Sequence, residues 1–155
     1  MPPSIVQQPA LRLVGLQIRT RPMSPQIPAL WPRFVARMPE IAQVPGPRVT
    51  WGAMQTVAGE PDTLVYLAAA PVAPDAPVPA GMAALDVPAG THAVFEFSFK
   101  DIGSVYPFIF ETWLPASGFT QAATPLLERY GADFNPANPA SPMQIRLPVL
   151  PRTPA

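Results

Sequence analysis

The apolar residues of this chain form two helical patterns of identical spacing, 75 positions apart. The first consists of Ile27, Leu30, Trp31, Phe34, Val35 and Met38. The second consists of Ile102, Val105, Tyr106, Ile109, Phe110 and Trp113. Residues at i, i+3, i+4, i+7 and i+8 lie along one face of an α-helix, so each pattern predicts an amphipathic helix with one buried face. Their recurrence predicts an internal duplication, which constrains the fold more than any other feature.

Segments with alternating apolar residues flank both helical patterns and predict β-strands, because successive side chains of a strand point to opposite faces. These segments are 11–20, 48–54 and 63–69 in the first half, and 84–87, 91–99, 126–130 and 143–149 in the second. We therefore predict an α+β fold of two pseudo-symmetric β-α-β-β repeats. Two helices would cover one face of an antiparallel sheet, with a central ligand cleft between the halves.

A proline-rich segment, 71–83, lies between the two halves and predicts an extended connector. With 155 residues and 16.6 kDa, the chain has the size of one domain that can bury a core without disulfides or metal. We expect a single domain, 1–155, built from half-repeats at about 10–70 and 84–150.

Cysteine, histidine and charge content argue against several classes of function. The chain has no cysteine and one histidine, His92, so we expect no metal site and no cofactor. Ten basic and ten acidic residues are scattered, which disfavours direct nucleic-acid binding. No apolar run approaches the roughly 18 residues of a membrane span, and the first residues do not resemble a signal peptide. We expect a cytoplasmic protein without membrane association.

The segment 112–130, TWLPASGFTQAATPLLERY, places one carboxylate among aromatic residues. On a strand, Leu126, Glu128 and Tyr130 share a face. A buried carboxylate needs a cation, hydrogen-bond donors or a raised pKa, which favours an apolar, cationic small molecule as its partner. The alternative is a solvent-facing Glu128 with Leu127 turned inward. We predict a site anchored by Glu128, with walls formed by Trp31, Tyr66, Phe110, Trp113 and Tyr130.

Aromatic residues at helical spacing are also typical of simple core packing, which is the alternative for Trp31, Phe110 and Trp113. If the halves are duplicated, Trp31 and Trp113 would occupy comparable places on the two helices. His92 is expected to be a packed or surface strand residue and not an acid or base.

Five segments resemble, in order and spacing, the GyrI-like effector-binding domain: IPALWPRF, LVYL, VPAGTHAVFEF, TWLPASGF and PLLERY. This family is similar to the ligand-binding portion of bacterial AraC-type and MerR-type multidrug-responsive regulators. The resemblance covers residues 10–150 and implies two β-α-β-β repeats around an aromatic cleft, in which a glutamate matching Glu128 meets lipophilic cations. Phe119 and His92 depart from the family pattern, since each stands where a tyrosine is usual or frequent.

The resemblance leaves three functions open. The preferred hypothesis is a stand-alone effector-binding or drug-sequestering module for a hydrophobic, cationic or aromatic small molecule, and not an enzyme. The alternative is a hydrolase of reactive cyclopropane-type electrophiles, with Glu128 activating water. A third is interaction with a protein such as a topoisomerase. The sequence shows no helix-turn-helix segment, and a separately encoded protein partner stays open.

Overall fold

The computed structural model describes residues 2–153, and within them it contains nine antiparallel strands and two helical regions. The strands are β1 (Ser4–Gln8), β2 (Leu11–Thr20), β3 (Thr50–Val57), β4 (Glu60–Val72), β5 (Ala83–Val87), β6 (Gly90–Ser98), β7 (Phe119–Gln121), β8 (Leu126–Tyr130) and β9 (Pro142–Pro151). Their order in the sheet is β1-β6-β9-β8-β3-β4-β2-β5, and β7 pairs with β9. The predicted α+β fold is confirmed.

The first helix, α1 (Gln26–Arg37), ends in a 3₁₀ turn, Met38–Glu40. The second helical region begins with a 3₁₀ turn, Phe99–Asp101, and continues in three segments: α2 (Ile102–Pro107), a π-helix (Phe108–Trp113) and α3 (Leu114–Ala116). The apolar spacing of 102–113 predicted one regular α-helix instead. The π-helix has i→i+5 hydrogen bonds, so it changes the direction of the side chains that follow Pro107.

Both helical regions lie on one face of the sheet, and each covers its own apolar cluster. Leu30 and Phe34 of α1 pack in a cluster with residues of β2 and β4, whereas Val105 and Ile109 pack with residues of β6, β8 and β9. Trp31 packs against both clusters, at the junction of the two halves.

Each half contributes its first strand to the other half. β1 pairs with β6 and β5 pairs with β2, although two residues alone separate β1 from β2, and two separate β5 from β6. The register is continuous across both links, since Gln8 pairs with Gly90 and Leu11 with Val87. The four strands therefore form one long ribbon that joins the two ends of the sheet path. This exchange of β1 and β5 was not predicted.

The sheet face opposite the helices carries a third apolar cluster at its centre. Leu13, Trp51 and Leu127 belong to the apolar cluster on this face. His92 lies here as a packed strand residue with 1% exposure.

The connector between the halves is shorter than predicted. β4 continues to Val72 because Pro71 still pairs with Leu13 of β2, so the segment between β4 and β5 is 73–82. No helix within residues 2–153 has the length and apolarity needed to cross a membrane.

Candidate functional site

Glu128 lies at the centre of β8, on the sheet face that carries the helices, and is 5% exposed. Leu126 and Tyr130 belong to the cluster beneath the second helical region, whereas Leu127 belongs to the cluster on the opposite face. The strand alternation therefore places Glu128 with Leu126 and Tyr130, as predicted. The solvent-facing alternative for Glu128 is wrong.

The chain has three tyrosines, and all three donate hydrogen bonds to the Glu128 carboxylate. The hydroxyls of Tyr66 and Tyr130 lie 2.8 Å and 2.9 Å from Oε1. The Tyr106 hydroxyl lies 2.5 Å from Oε2 and is the one tyrosine donor to that oxygen. Among the ion pairs formed by residues 2–153, none involves Glu128. Three phenols thus solvate a buried carboxylate that has no counter-ion among residues 2–153.

Trp31 extends this hydrogen-bond network from α1. Its indole Nε1 donates to the Tyr66 hydroxyl at 3.0 Å, and its ring meets the Tyr130 ring edge-on at 5.1 Å between centroids. A buried indole N–H needs an acceptor, and the Tyr66 oxygen supplies it. The network therefore connects α1, β4, β8 and α2 around one carboxylate.

Gly52 of β3 creates the space that this network occupies. It pairs with Glu128 across the sheet, and a Cβ atom at this position would lie 2.3 Å from the Tyr66 hydroxyl and 2.8 Å from Glu128 Oε1. Both distances are shorter than van der Waals contact. The absence of a side chain at position 52 is therefore a condition for the Tyr66–Glu128 hydrogen bond.

Four of the six predicted site residues contact one another, and the other two lie apart from them. Glu128, Tyr66, Tyr130 and Trp31 form one contact network. Trp113 packs edge-on against Phe95 and stacks on Phe119. Phe110 lies on the π-helix and is 36% exposed. Which of these residues touch a ligand stays a prediction.

Tyr106 was missed, although the duplication contained the signal for it. Position 106 is the counterpart of Trp31, 75 residues on, and both side chains join the network around Glu128. The expected correspondence of Trp31 with Trp113 is therefore wrong. The π-helix separates Trp113 from Tyr106 by a wider turn, so the helical spacing cannot be carried through to position 113.

Burial raises the pKa of Tyr66, Tyr106 and Tyr130 well above the ordinary tyrosine value, and the negative charge of Glu128 raises each pKa further. An ionised phenol in this place would be both desolvated and adjacent to a carboxylate. The three hydroxyls therefore stay protonated, and stay donors, throughout the neutral pH range.

We expect tyrosine ionisation to report on this cluster alone, because the chain has no other tyrosines. Above about pH 10 the unfolded chain loses phenolic protons that the folded chain keeps, so stability is full below that pH and falls as pH rises. Tyrosinate absorbance at 295 nm should appear together with the loss of the circular dichroism signal. Stepwise ionisation near pH 10 in a protein that is still folded would contradict the buried cluster.

No group of three or more His, Cys, Asp or Glu side chains suited to a metal ion occurs in the part of the chain that the structure describes. The chemistry offered around Glu128 is a single negative charge, three hydroxyl donors and aromatic ring faces. That combination suits recognition of a cation with aromatic or aliphatic substituents.

Residues 1–149 match the family model described as the GyrI-like small molecule binding domain. The chain belongs to the GyrI-like family. Among curated proteins, this GyrI-like chain is 32% identical over 149 residues to the transcriptional regulator BrlR of Pseudomonas aeruginosa. The match covers 94% of the chain and 54% of BrlR, so the chain spans about half the length of that relative.

Solved structures share the GyrI-like fold at lower identity. SAV2435 bound to tetraphenylphosphonium has a TM-score of 0.74 and 16% identity, over 97% of this chain and 94% of that one. An integron cassette protein of Vibrio cholerae has a TM-score of 0.68 and 18% identity, covering 97% of both chains. The C-terminal domain of EcmrR has a TM-score of 0.68 and 15% identity, covering 96% of both. These similarities show the fold.

Proposed function

We propose that this chain binds a hydrophobic, cationic small molecule at Glu128, as an effector-binding or drug-sequestering module. The observation that carries the proposal is a buried carboxylate whose polar partners are neutral phenols. A buried charge is usually paired, and a cation supplied by a ligand would complete the pair. The complex of SAV2435 with tetraphenylphosphonium supports this choice of ligand class.

The carboxylate can admit a cation by exchanging one phenol. Oε1 accepts from two tyrosines that lie on strands, whereas Oε2 accepts from Tyr106 of α2 as its one tyrosine donor. Moving the Tyr106 ring therefore exposes one oxygen and leaves the other hydrogen-bonded. The rings of Trp31, Tyr66 and Tyr130 would then supply cation–π contacts of about 0.5 to 2 kcal/mol each.

A matched pair of ligands tests the proposal directly. We expect tetraphenylphosphonium to bind with one-to-one stoichiometry and to change tryptophan fluorescence, because Trp31 belongs to the network that must rearrange. Triphenylphosphine oxide, which is neutral and has three phenyl rings, should bind at least about 30-fold more weakly than methyltriphenylphosphonium, which has the same three rings and a positive charge. Isothermal titration calorimetry measures these affinities. Equal affinity for methyltriphenylphosphonium and the neutral oxide would exclude Glu128 as the basis of recognition.

Hydrolysis of a cyclopropane-type electrophile stays an untested alternative, and nothing around the carboxylate favours it over binding. A general base or acid works best with a pKa near the operating pH. The three tyrosine hydroxyls have pKa values raised by burial, which makes them poor general acids at neutral pH, and they already donate to both oxygens of the carboxylate that would activate water. Phe119, which lies against Trp113, offers no hydroxyl.

A further inference from the structure

A cavity of about 320 Å³ lies beside the Glu128 cluster, where β3 and β8 run side by side. Its inner wall includes Met54 and Leu126, which pair with each other across these two strands. Both side chains lie on the helix-bearing face, since Leu126 belongs to the cluster beneath the second helical region and Met54 packs against it. The cavity is therefore on the same side of the sheet as the carboxylate.

Met54 stands between this cavity and the carboxylate network. Its Sδ atom lies 3.8 Å from the Tyr106 hydroxyl, which in turn donates to Glu128 Oε2. Methionine is unbranched and flexible, so its side chain can take another rotamer at low cost. A ligand that displaces Tyr106 from Oε2 would therefore meet Met54 next, and the cavity lies beyond it.

The cavity wall has a different chemistry from the aromatic network. It contains amide and hydroxyl side chains, and no charged residue is among the residues that line it; the polar ones are Gln55, Thr56, Gln121 and Thr124. Uncharged donors and acceptors suit a neutral hydrogen-bonding group. Small-molecule pockets occupy roughly 300 to 1,000 Å³, so this cavity lies at the small end of that range and has room for a chain or a small ring.

We propose that this cavity is an outer subsite for a neutral, hydrogen-bonding arm of the ligand whose cationic head binds at Glu128. This inference rests on the proposed function, and it narrows the ligand class to an elongated aromatic cation that carries a polar chain. The Met54 side chain lies between the two subsites and would change rotamer when one ligand occupies both.

Two probes with the same cationic head test the two subsites separately. One is methyltriphenylphosphonium, and the other is triphenylphosphonium carrying a hexanamide chain. The arm should strengthen binding to the wild type by about tenfold, since its amide replaces solvent contacts with hydrogen bonds in the cavity. Ala123→Trp fills the cavity from its exposed rim and should abolish that gain while leaving the head affinity unchanged. Thr124→Val, which removes a hydroxyl at constant size, should reduce the gain.

Ala132→Trp is the matched control, because Ala132 is also exposed but lines a separate cavity. It should leave both affinities unchanged. The subsite is refuted if the hexanamide arm adds no affinity in the wild type, or if the gain persists in Ala123→Trp. Failure of both probes to bind the wild type would instead refute cation binding at Glu128, and the subsite with it.

Discussion

Glu128→Gln should weaken tetraphenylphosphonium binding at least about 30-fold, equivalent to about 2 kcal/mol, while the protein stays folded. Glutamine has nearly the same size, and its carbonyl oxygen can still accept a tyrosine hydrogen bond, but it carries no charge. The substitution therefore removes the attraction for a cation and keeps most of the packing. Calorimetric titration gives the affinity, and thermal unfolding verifies the fold.

Glu96→Gln provides the control for this experiment. Glu96 lies on β6 and is exposed. Its replacement by glutamine removes one negative charge from the protein, as Glu128→Gln does. An exposed charge is screened by solvent and salt, so the affinity should change by less than about twofold. Unchanged affinity in Glu128→Gln, or an equal loss in both variants, would show that the buried carboxylate is not the anchor.

Gly52→Ala should destabilise the protein by about 2 to 3 kcal/mol and weaken cation binding, although it adds one methyl group. The new Cβ would lie 2.3 Å from the Tyr66 hydroxyl and 2.8 Å from Glu128 Oε1, so the central hydrogen bond must break or the strands must shift. Urea unfolding measures the loss. Gly90→Ala is the control, because a Cβ at Gly90, another strand glycine, meets no atom within 4 Å.

A double variant identifies the cause of the effect at Gly52. Tyr66→Phe removes the hydroxyl that is nearest to the added Cβ, so Gly52→Ala should cost less in a Tyr66→Phe background than in the wild type. Additive losses would mean that the alanine acts through something other than this contact. If Gly52→Ala and Gly90→Ala unfold at the same urea concentration, the predicted crowding between a Cβ at position 52 and the Tyr66 hydroxyl is contradicted.

The parts of the fold that follow from local periodicity were predictable. Alternation over 126–130 correctly placed Glu128 beside Leu126 and Tyr130, because a strand face depends on neighbours two residues away. The apolar spacing correctly placed Leu30 and Phe34 on the buried side of α1, because a helix face depends on neighbours three and four residues away. Such patterns need no knowledge of which strands pair.

The parts that depend on distant pairing were not predictable. Gly52 matters because β3 lies between β4 and β8, which brings Tyr66 and Glu128 to it from different places in the sequence. Tyr106 reaches Glu128 because the second helical region lies over β8, and the helical pattern alone could not distinguish it from Trp113. The π-helix beyond Pro107 also has no signal in an i, i+3, i+4 pattern.

The exchange of β1 and β5 between the halves has a consequence for either half taken alone. In a polypeptide made of the first half alone, β1 would have no strand to pair with, because its partner is β6 of the second half. β2 would likewise lack its neighbour β5. Only two copies together can satisfy both edges. One half alone would therefore need a second copy of itself to complete its sheet, and the two copies would exchange their first strands.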